Sequence, residues 1–161
     1  MSKILNINQA IRISRKIHDQ NKTVVLTGGC FDILHIGHIQ FLKNAKKNGD
    51  YLFVLLESDE TVRKLKGSKR PINNQKDRAQ ILSAVKYMDY VVLLPQMNFN
   101  KDYDDLVYKL SPNIIAVTQN SPQIVHNLRQ AKKINAKVLQ VTKKIEDKST
   151  TNLAKLIAQN F

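Results

Sequence analysis

Residues 23–38 read Thr23-Val24-Val25-Leu26-Thr27-Gly28-Gly29-Cys30-Phe31-Asp32-Ile33-Leu34-His35-Ile36-Gly37-His38. The first five form a β-branched run bounded by Asn21-Lys22 and by two glycines, the pattern of a short buried strand. Beyond the glycines the apolar period changes. Ile39, Phe41, Leu42 and Ala45 recur at helical spacing until Asn48-Gly49 stops them. A strand, a glycine pair and a helix therefore follow one another without a break.

The same alternation extends in both directions. Upstream, Ile7, Ala10, Ile11, Ser14 and Ile17 mark a helix with Asn8 as N-cap, ended by Asn21. Downstream, strands are predicted at 51–56, 90–94, 114–117 and 137–141. Helices are predicted at 59–65, 75–87, 102–110, 121–134 (with Ser121-Pro122 as N-cap and first helical residue) and 149–159. A polar basic loop, Lys66-Gly67-Ser68-Lys69-Arg70-Pro71, separates two of them. Strands of four to six residues that alternate with helices call for parallel pairing through right-handed crossovers. The expected architecture is α/β: a Rossmann-like, doubly wound, five-stranded parallel sheet with helices on both faces. With no repeat or linker, residues 1–161 read as one domain.

Composition narrows the class. With 42% hydrophobic and 24% charged residues in 161, the chain is neither disordered, collagen-like nor a small disulfide scaffold. Cys30 is the single cysteine, so a reducing, cytoplasmic setting is expected. No apolar run approaches the ~20 residues of a membrane helix, and residues 1–8 lack the apolar core of a signal peptide. Neither a membrane nor export is expected. The formal net charge of +13 favours anionic partners such as nucleic acid or nucleotide phosphates. A nucleic-acid-binding module is the weaker reading. Aromatics are only 6%, tryptophan is absent, and 20 lysines against 6 arginines lie scattered among 15 asparagines, as a general lysine and asparagine bias would leave them.

In open parallel sheets, ligands bind beyond the carboxyl ends of the strands where strand order reverses. The stretch Thr27 to His38 is delivered to such an end. Gly28 and Gly29 let backbone amides approach an anion with no Cβ in the way. The helix that follows points its positive N-terminus to the same place. His35 and His38, three apart, share a face of one helical turn, and Gly37 between them leaves room for a ligand. A metal site is not expected, because only Asp32 lies near as a third ligand.

The run G-C-F-D-I-L-H-I-G-H resembles the signature of the cytidylyltransferase-like nucleotidyltransferases, with their H-x-G-H motif intact. Asn48-Gly49-Asp50-Tyr51-Leu52, Ser58-Asp59, Lys64-Leu65-Lys66-Gly67, Arg70-Pro71-Ile72-Asn73, Asp77-Arg78, Met88-Asp89-Tyr90-Val91-Val92 and Ser149-Thr150-Thr151-Asn152 are similar to the ADP-heptose synthase adenylyltransferase branch. The likeness covers roughly residues 10 to 158; the kinase domain fused to that branch in bifunctional members has no counterpart in it. One segment departs. Ala116-Val117-Thr118-Gln119-Asn120-Ser121 stands where the branch carries a Lys-Gly-Gly-Asp-Tyr-like stretch.

The resemblance implies attack of a phosphomonoester oxygen on the α-phosphorus of ATP or CTP, with pyrophosphate expelled. It implies His35, His38 and Lys66 as catalytic groups, with Arg63 and Arg70 as weaker cationic candidates. Thr27, Gly28, Gly29, Cys30, Phe31, Gly37, Thr118, Ser149, Thr150 and Thr151 would bind nucleotide. Asp32 and Lys46 would meet the phosphorylated acceptor. Mg²⁺ would be held mainly by substrate phosphates, and a homodimer is expected because relatives commonly pair. AMP transfer from ATP to a heptose 1-phosphate is the first expectation. Glycerol-3-phosphate cytidylyltransferase, FMN adenylyltransferase and a silent nucleotide-binding relative are the alternatives.

Overall fold

The computed structural model describes residues 2–142. They form one parallel sheet of six strands: β1 (Ile4–Leu5), β2 (Val24–Gly29), β3 (Tyr51–Leu56), β4 (Tyr90–Leu93), β5 (Ile114–Thr118) and β6 (Lys137–Thr142). The spatial order is β1-β4-β3-β2-β5-β6, and every neighbouring pair is parallel. The helices are α1 (Ile7–Asp19), α2 (Ile36–Lys46), α3 (Asp59–Lys66), α4 (Gln75–Ser83), α5 (Asn100–Leu110) and α6 (Ile124–Lys133).

Strand residues alternate between two cores. Val24, Leu26, Phe53, Leu55 and Val92 face α1, α5 and α6, where Ala10, Ile13 and Leu110 are buried against them. Val25, Leu52, Val54, Leu56 and Val91 face α2 and α4, where Leu42 and Leu82 are fully buried. Both faces are covered, so the strands carry no polar alternation. Each such side chain contributes roughly 1.5–3 kcal/mol when removed from water. Ser14 links two helices of the first core, its hydroxyl donating to the Leu110 carbonyl at 2.6 Å.

The doubly wound α/β class follows the sequence expectation, with one strand more. Ile4 and Leu5 pair with Val91 and Val92 as a two-residue edge strand, too short for any period to announce it. The N-cap of α1 is Asn6 rather than Asn8: its side chain accepts from the Gln9 amide, and the Gln9 side chain accepts from the Asn6 amide, each at 2.9 Å. Helix α4 ends at Ser83 instead of residue 87, and α6 starts at Ile124, with Ser121 and Pro122 in the turn before it. Strand β2 continues through both glycines because β3 pairs with it as far as Gly29↔Leu56. The closing helix expected at 149–159 lies outside the described residues.

The sheet also shows where a ligand can enter. Strand β2 pairs with β3 over six positions but with β5 over only two, Val25↔Ile114 and Leu26↔Ile115. Past those pairs the strands diverge. The connection from β2 to β3 runs through α2 on one face, and the connection into β5 runs through α5 on the other. This is the switch point of the winding, and it opens a crevice at the carboxyl ends.

Candidate active site

A cavity of about 820 Å³ fills that crevice. Thr27, Gly28, Gly29, Cys30 and Phe31 form its floor together with the end of β5 up to Thr118, and His35, Gly37 and His38 border it from the start of α2. Lys66 and Arg70 reach it from the segment after β3. Most of the residues that the sequence nominated therefore meet around one space. Ser149, Thr150 and Thr151 lie outside the described residues.

His35 is the N-cap of α2 in extended conformation, not a member of its first turn, and its side chain caps no amide of that turn. The His38 and Ile39 amides bond to the His35 carbonyl. The helix start is thus left open to an anion from outside. Although His35 precedes the helix, the two imidazoles lie close together, their ring centroids 3.8 Å apart and their planes tilted by 30°. Phe31 supports His38 from the other side at 5.1 Å. Phe31 itself is buried with φ 44°, and a Cβ on Gly29 would come within 3.0 Å of its ring. Gly29 therefore serves the packing of the loop as much as access to a ligand.

Among the described residues, the Nδ1 atoms of His35 and His38 are the only buried side-chain polar atoms with no hydrogen-bond partner. Burial holds His35 below its ordinary pKa. Burial first, and the neighbouring His35 second, push His38 down to about 4. Both rings are neutral at pH 7. Leaving a buried polar group without a partner costs about 1–3 kcal/mol, and here two such groups belong to neighbouring residues that border a cavity.

Asp32 behaves differently. Its side chain is fully buried and paired with Arg70, and it accepts from the Ile72 amide at 2.9 Å and the Asn73 amide at 3.0 Å. Burial would raise this carboxyl, but the Asn73 and Ile72 amides and the Arg70 guanidinium outweigh it and hold the group below its ordinary value. Asp32 ties the 70–73 loop to the motif, and its oxygens are already satisfied by protein donors. It also lines the cavity, so its carboxylate borders the site with both oxygens already accepting from protein donors. The expectation for Lys46 is corrected. This lysine sits at the far end of α2, where its ammonium donates to Asp89 at 2.6 Å and to the Asp50 carbonyl, away from the cavity. Arg63 pairs with exposed Glu60 at 3.0 Å and does not line the cavity. Cys30 keeps its thiol protonated, since burial raises its pKa.

Two features escaped the sequence reading. Arg78 is completely buried, and its guanidinium donates to the carbonyls of Cys30, Asn73 (3.0 Å) and Glu57 (2.8 Å) and to the Asp59 carboxylate (2.7 Å). One side chain thereby fastens together the motif loop, the end of β3, the start of α3 and the loop before α4. Glu57 and Tyr103 also line the cavity, the tyrosine hydroxyl donating to Glu57 Oε2 at 3.0 Å. A signal for Glu57 was present: it is the first polar residue after a fully apolar strand, at the sheet end where ligands bind.

The arrangement has known counterparts. The family model described as cytidylyltransferase-like matches residues 26–155. The chain belongs to the cytidylyltransferase-like family of nucleotidyltransferases. Within it, the chain is 35% identical to the bifunctional protein HldE of Aliarcobacter butzleri, over 99% of this chain and 32% of that protein. Its identity to HldE of Campylobacter fetus is 38%, over 94% of this chain and 30% of that protein. The chain spans about a third of the length of these curated relatives. A lipopolysaccharide core biosynthesis protein from Thermoplasma volcanium superposes with a TM-score of 0.60 at 29% identity, covering 76% of this chain and 95% of that one. Pantoate-beta-alanine ligase from Francisella tularensis, solved with an ATP analogue and beta-alanine, shares the fold at TM-score 0.64 and 18% identity, over 99% of this chain and 77% of that one. No described helix is long and apolar enough to cross a membrane.

Proposed function

We propose that this protein transfers AMP from ATP to a phosphomonoester, a sugar 1-phosphate of the heptose type, and releases pyrophosphate. The observation that carries the reading is the close pair of neutral imidazoles, their Nδ1 atoms without a partner among the described residues, set beside the open N-terminus of α2 on the wall of the crevice. A phosphate group there would meet the positive end of the helix beside the two half-buried rings. The likeness to the HldE proteins supports adenylyl rather than cytidylyl transfer.

A phosphomonoester is largely ionised at pH 7, its second pKa being about 6, so the nucleophile needs no general base. The protein's task is to hold two anions in line and to stabilise charge at the α-phosphorus and on the leaving oxygens. His35 and His38 would donate to the triphosphate, and negative charge beside them would draw their pKa values back up. Lys66, exposed at the end of α3 and on the cavity rim, would meet the leaving pyrophosphate. Arg70, engaged with Asp32, would fix the loop that follows Lys66. Thr27, Thr118 and the glycine floor would contact the nucleotide. Magnesium would arrive on the phosphates. Among the described residues no three His, Cys, Asp or Glu side chains converge on one point, and the Asp32 carboxylate, which lines the cavity, accepts from Arg70, Ile72 and Asn73.

Pyrophosphate release measured with ATP and CTP against heptose 1-phosphate, glycerol 3-phosphate and FMN tests this directly. Turnover is expected with ATP and heptose 1-phosphate. Turnover with CTP and not ATP would overturn the assignment.

A further inference from the structure

The cavity contains a carboxylate that the proposed chemistry does not use. Glu57 follows β3 directly, and its amide donates to the Gly29 carbonyl at 3.2 Å, which fixes it at the mouth of the crevice. Its Oε2 receives the Tyr103 hydroxyl, while among the described residues no donor meets Oε1. The neighbouring carboxylate, Asp104, is occupied: Gln130 donates to one oxygen at 2.8 Å and Arg129 to the other at 2.7 Å. Burial pushes the Glu57 carboxyl above its ordinary value, although Tyr103 and Arg78 oppose this.

A carboxylate is a poor neighbour for phosphate. Like charges in a partly desolvated site repel strongly. The part of a ligand that lies against Glu57 must therefore offer hydrogen-bond donors, and a carboxylate with a free oxygen accepts from hydroxyls with charge assistance. Of the two substrates, position favours the acceptor. Thr118 ends β5 on one side of β2, and Glu57 follows β3 on the other, shortly before the helix that carries Lys66. With the nucleotide seated toward Thr118, as the proposed function has it, the side toward β3 is left for the acceptor.

We infer that Glu57, held by Tyr103, is the specificity-determining residue that selects a polyhydroxylated phosphomonoester as acceptor by accepting hydrogen bonds from its hydroxyls. Tyr103 is a positioning residue: its hydroxyl occupies Oε2 and leaves Oε1 for the ligand. The inference rests on the proposed seating of nucleotide and acceptor, but it does not depend on which sugar or polyol is used.

Calorimetry on the full chain saturated with α,β-methylene-ATP supplies the test. The probes are heptose 1-phosphate against cyclohexyl phosphate, and glycerol 3-phosphate against n-propyl phosphate. In the unaltered protein the hydroxylated member of at least one pair is expected to bind about tenfold tighter or more, the usual scale for a hydrogen bond to a charged group. Glu57→Ala and Tyr103→Phe are expected to cut that preference to under about threefold, with the affinity for the deoxygenated member unchanged, whereas a merely structural role would lower both affinities together. Should Glu57→Ala fail to fold, Glu57→Gln takes its place, with a smaller loss of preference expected. A preference equal in all proteins, or absent from the unaltered one, overturns the inference. So does loss of the preference for α,β-methylene-ATP over its 2′,3′-dideoxy form, which would place the ribose against Glu57. Absence of pyrophosphate release with ATP and heptose 1-phosphate would overturn the proposed function, while the binding ratios would still decide this inference.

Discussion

The motif that leaves β2 has two halves with opposite electrostatic states. From Cys30 to Asp32, the polar atoms discussed above are engaged within the protein: Arg78 takes the Cys30 carbonyl, and Arg70, Ile72 and Asn73 take the Asp32 carboxylate. From His35 to His38, two ring nitrogens are buried with no partner among the described residues. The first half is built like a core and the second like a socket. The contrast separates residues that hold the loop from residues that act, although both stand in one short stretch of sequence.

The largest effect should come from the holding half. Arg78→Leu removes the cation that pairs with Asp59 and strips donors from three carbonyls, and breaking a buried pair in this way costs about 3–5 kcal/mol. Urea unfolding should show a loss of that size. A loss below about 1 kcal/mol would erase the contrast.

His38→Ala tests the other half. Loss of one preorganised donor to a transition state lowers kcat by roughly 10²–10³. The urea midpoint should change little by comparison, since no hydrogen bond recorded within the described chain is lost from the ring. A variant with unchanged pyrophosphate release would remove this histidine from the mechanism.

The pH dependence of stability sharpens the same point. The folded pKa of His38 is about 4, below the ordinary 6.5, so the unfolded chain binds more protons in between. Stability is whole above pH 6.5 and falls as the pH drops toward 4, by about 3 kcal/mol at most, because one pKa unit corresponds to about 1.4 kcal/mol. His35, shifted in the same direction, adds to the slope. Unfolding followed at pH 7 and pH 4.5 should show the loss, and His38→Ala should show less of it. Nucleotide phosphates should reverse the shift, so binding at pH 6 should be accompanied by proton uptake, visible as a buffer-dependent binding enthalpy.

The smallest effect belongs to Lys46. Its pair with Asp89 is partly solvated and lies outside the cavity. Lys46→Ala should leave the KM for the acceptor within about twofold and cost about 1 kcal/mol or less. A large rise in KM would return this lysine to the acceptor site.

Much of the molecule was legible in the sequence because local patterns recorded it. Continuous apolar runs such as 51–56 mark strands covered on both faces, and residues 36–46 carry a helical period. His35 and His38 could be nominated because their spacing brings them together whether or not His35 is inside the helix. Lys46 was nominated wrongly for a geometric reason: it follows the motif closely in sequence, but eleven helical residues carry it to the opposite end of the sheet. The engagement of Asp32 was not legible because its partners, Arg70, Ile72 and Asn73, lie 38 to 41 residues away. The two-residue β1 was missed because pairing with β4, not its own pattern, makes it a strand.

By itself the sequence determined the parallel α/β winding, the place of the crevice and the two imidazoles, since periodicity and glycine placement act over a few residues. Tertiary structure alone decided which polar groups are satisfied and which are left open. Hydrogen-bond partners come from distant segments, and only packing reveals that Asp32 is fully engaged, that Arg78 joins four segments, and that Glu57 keeps one oxygen without a donor among the described residues.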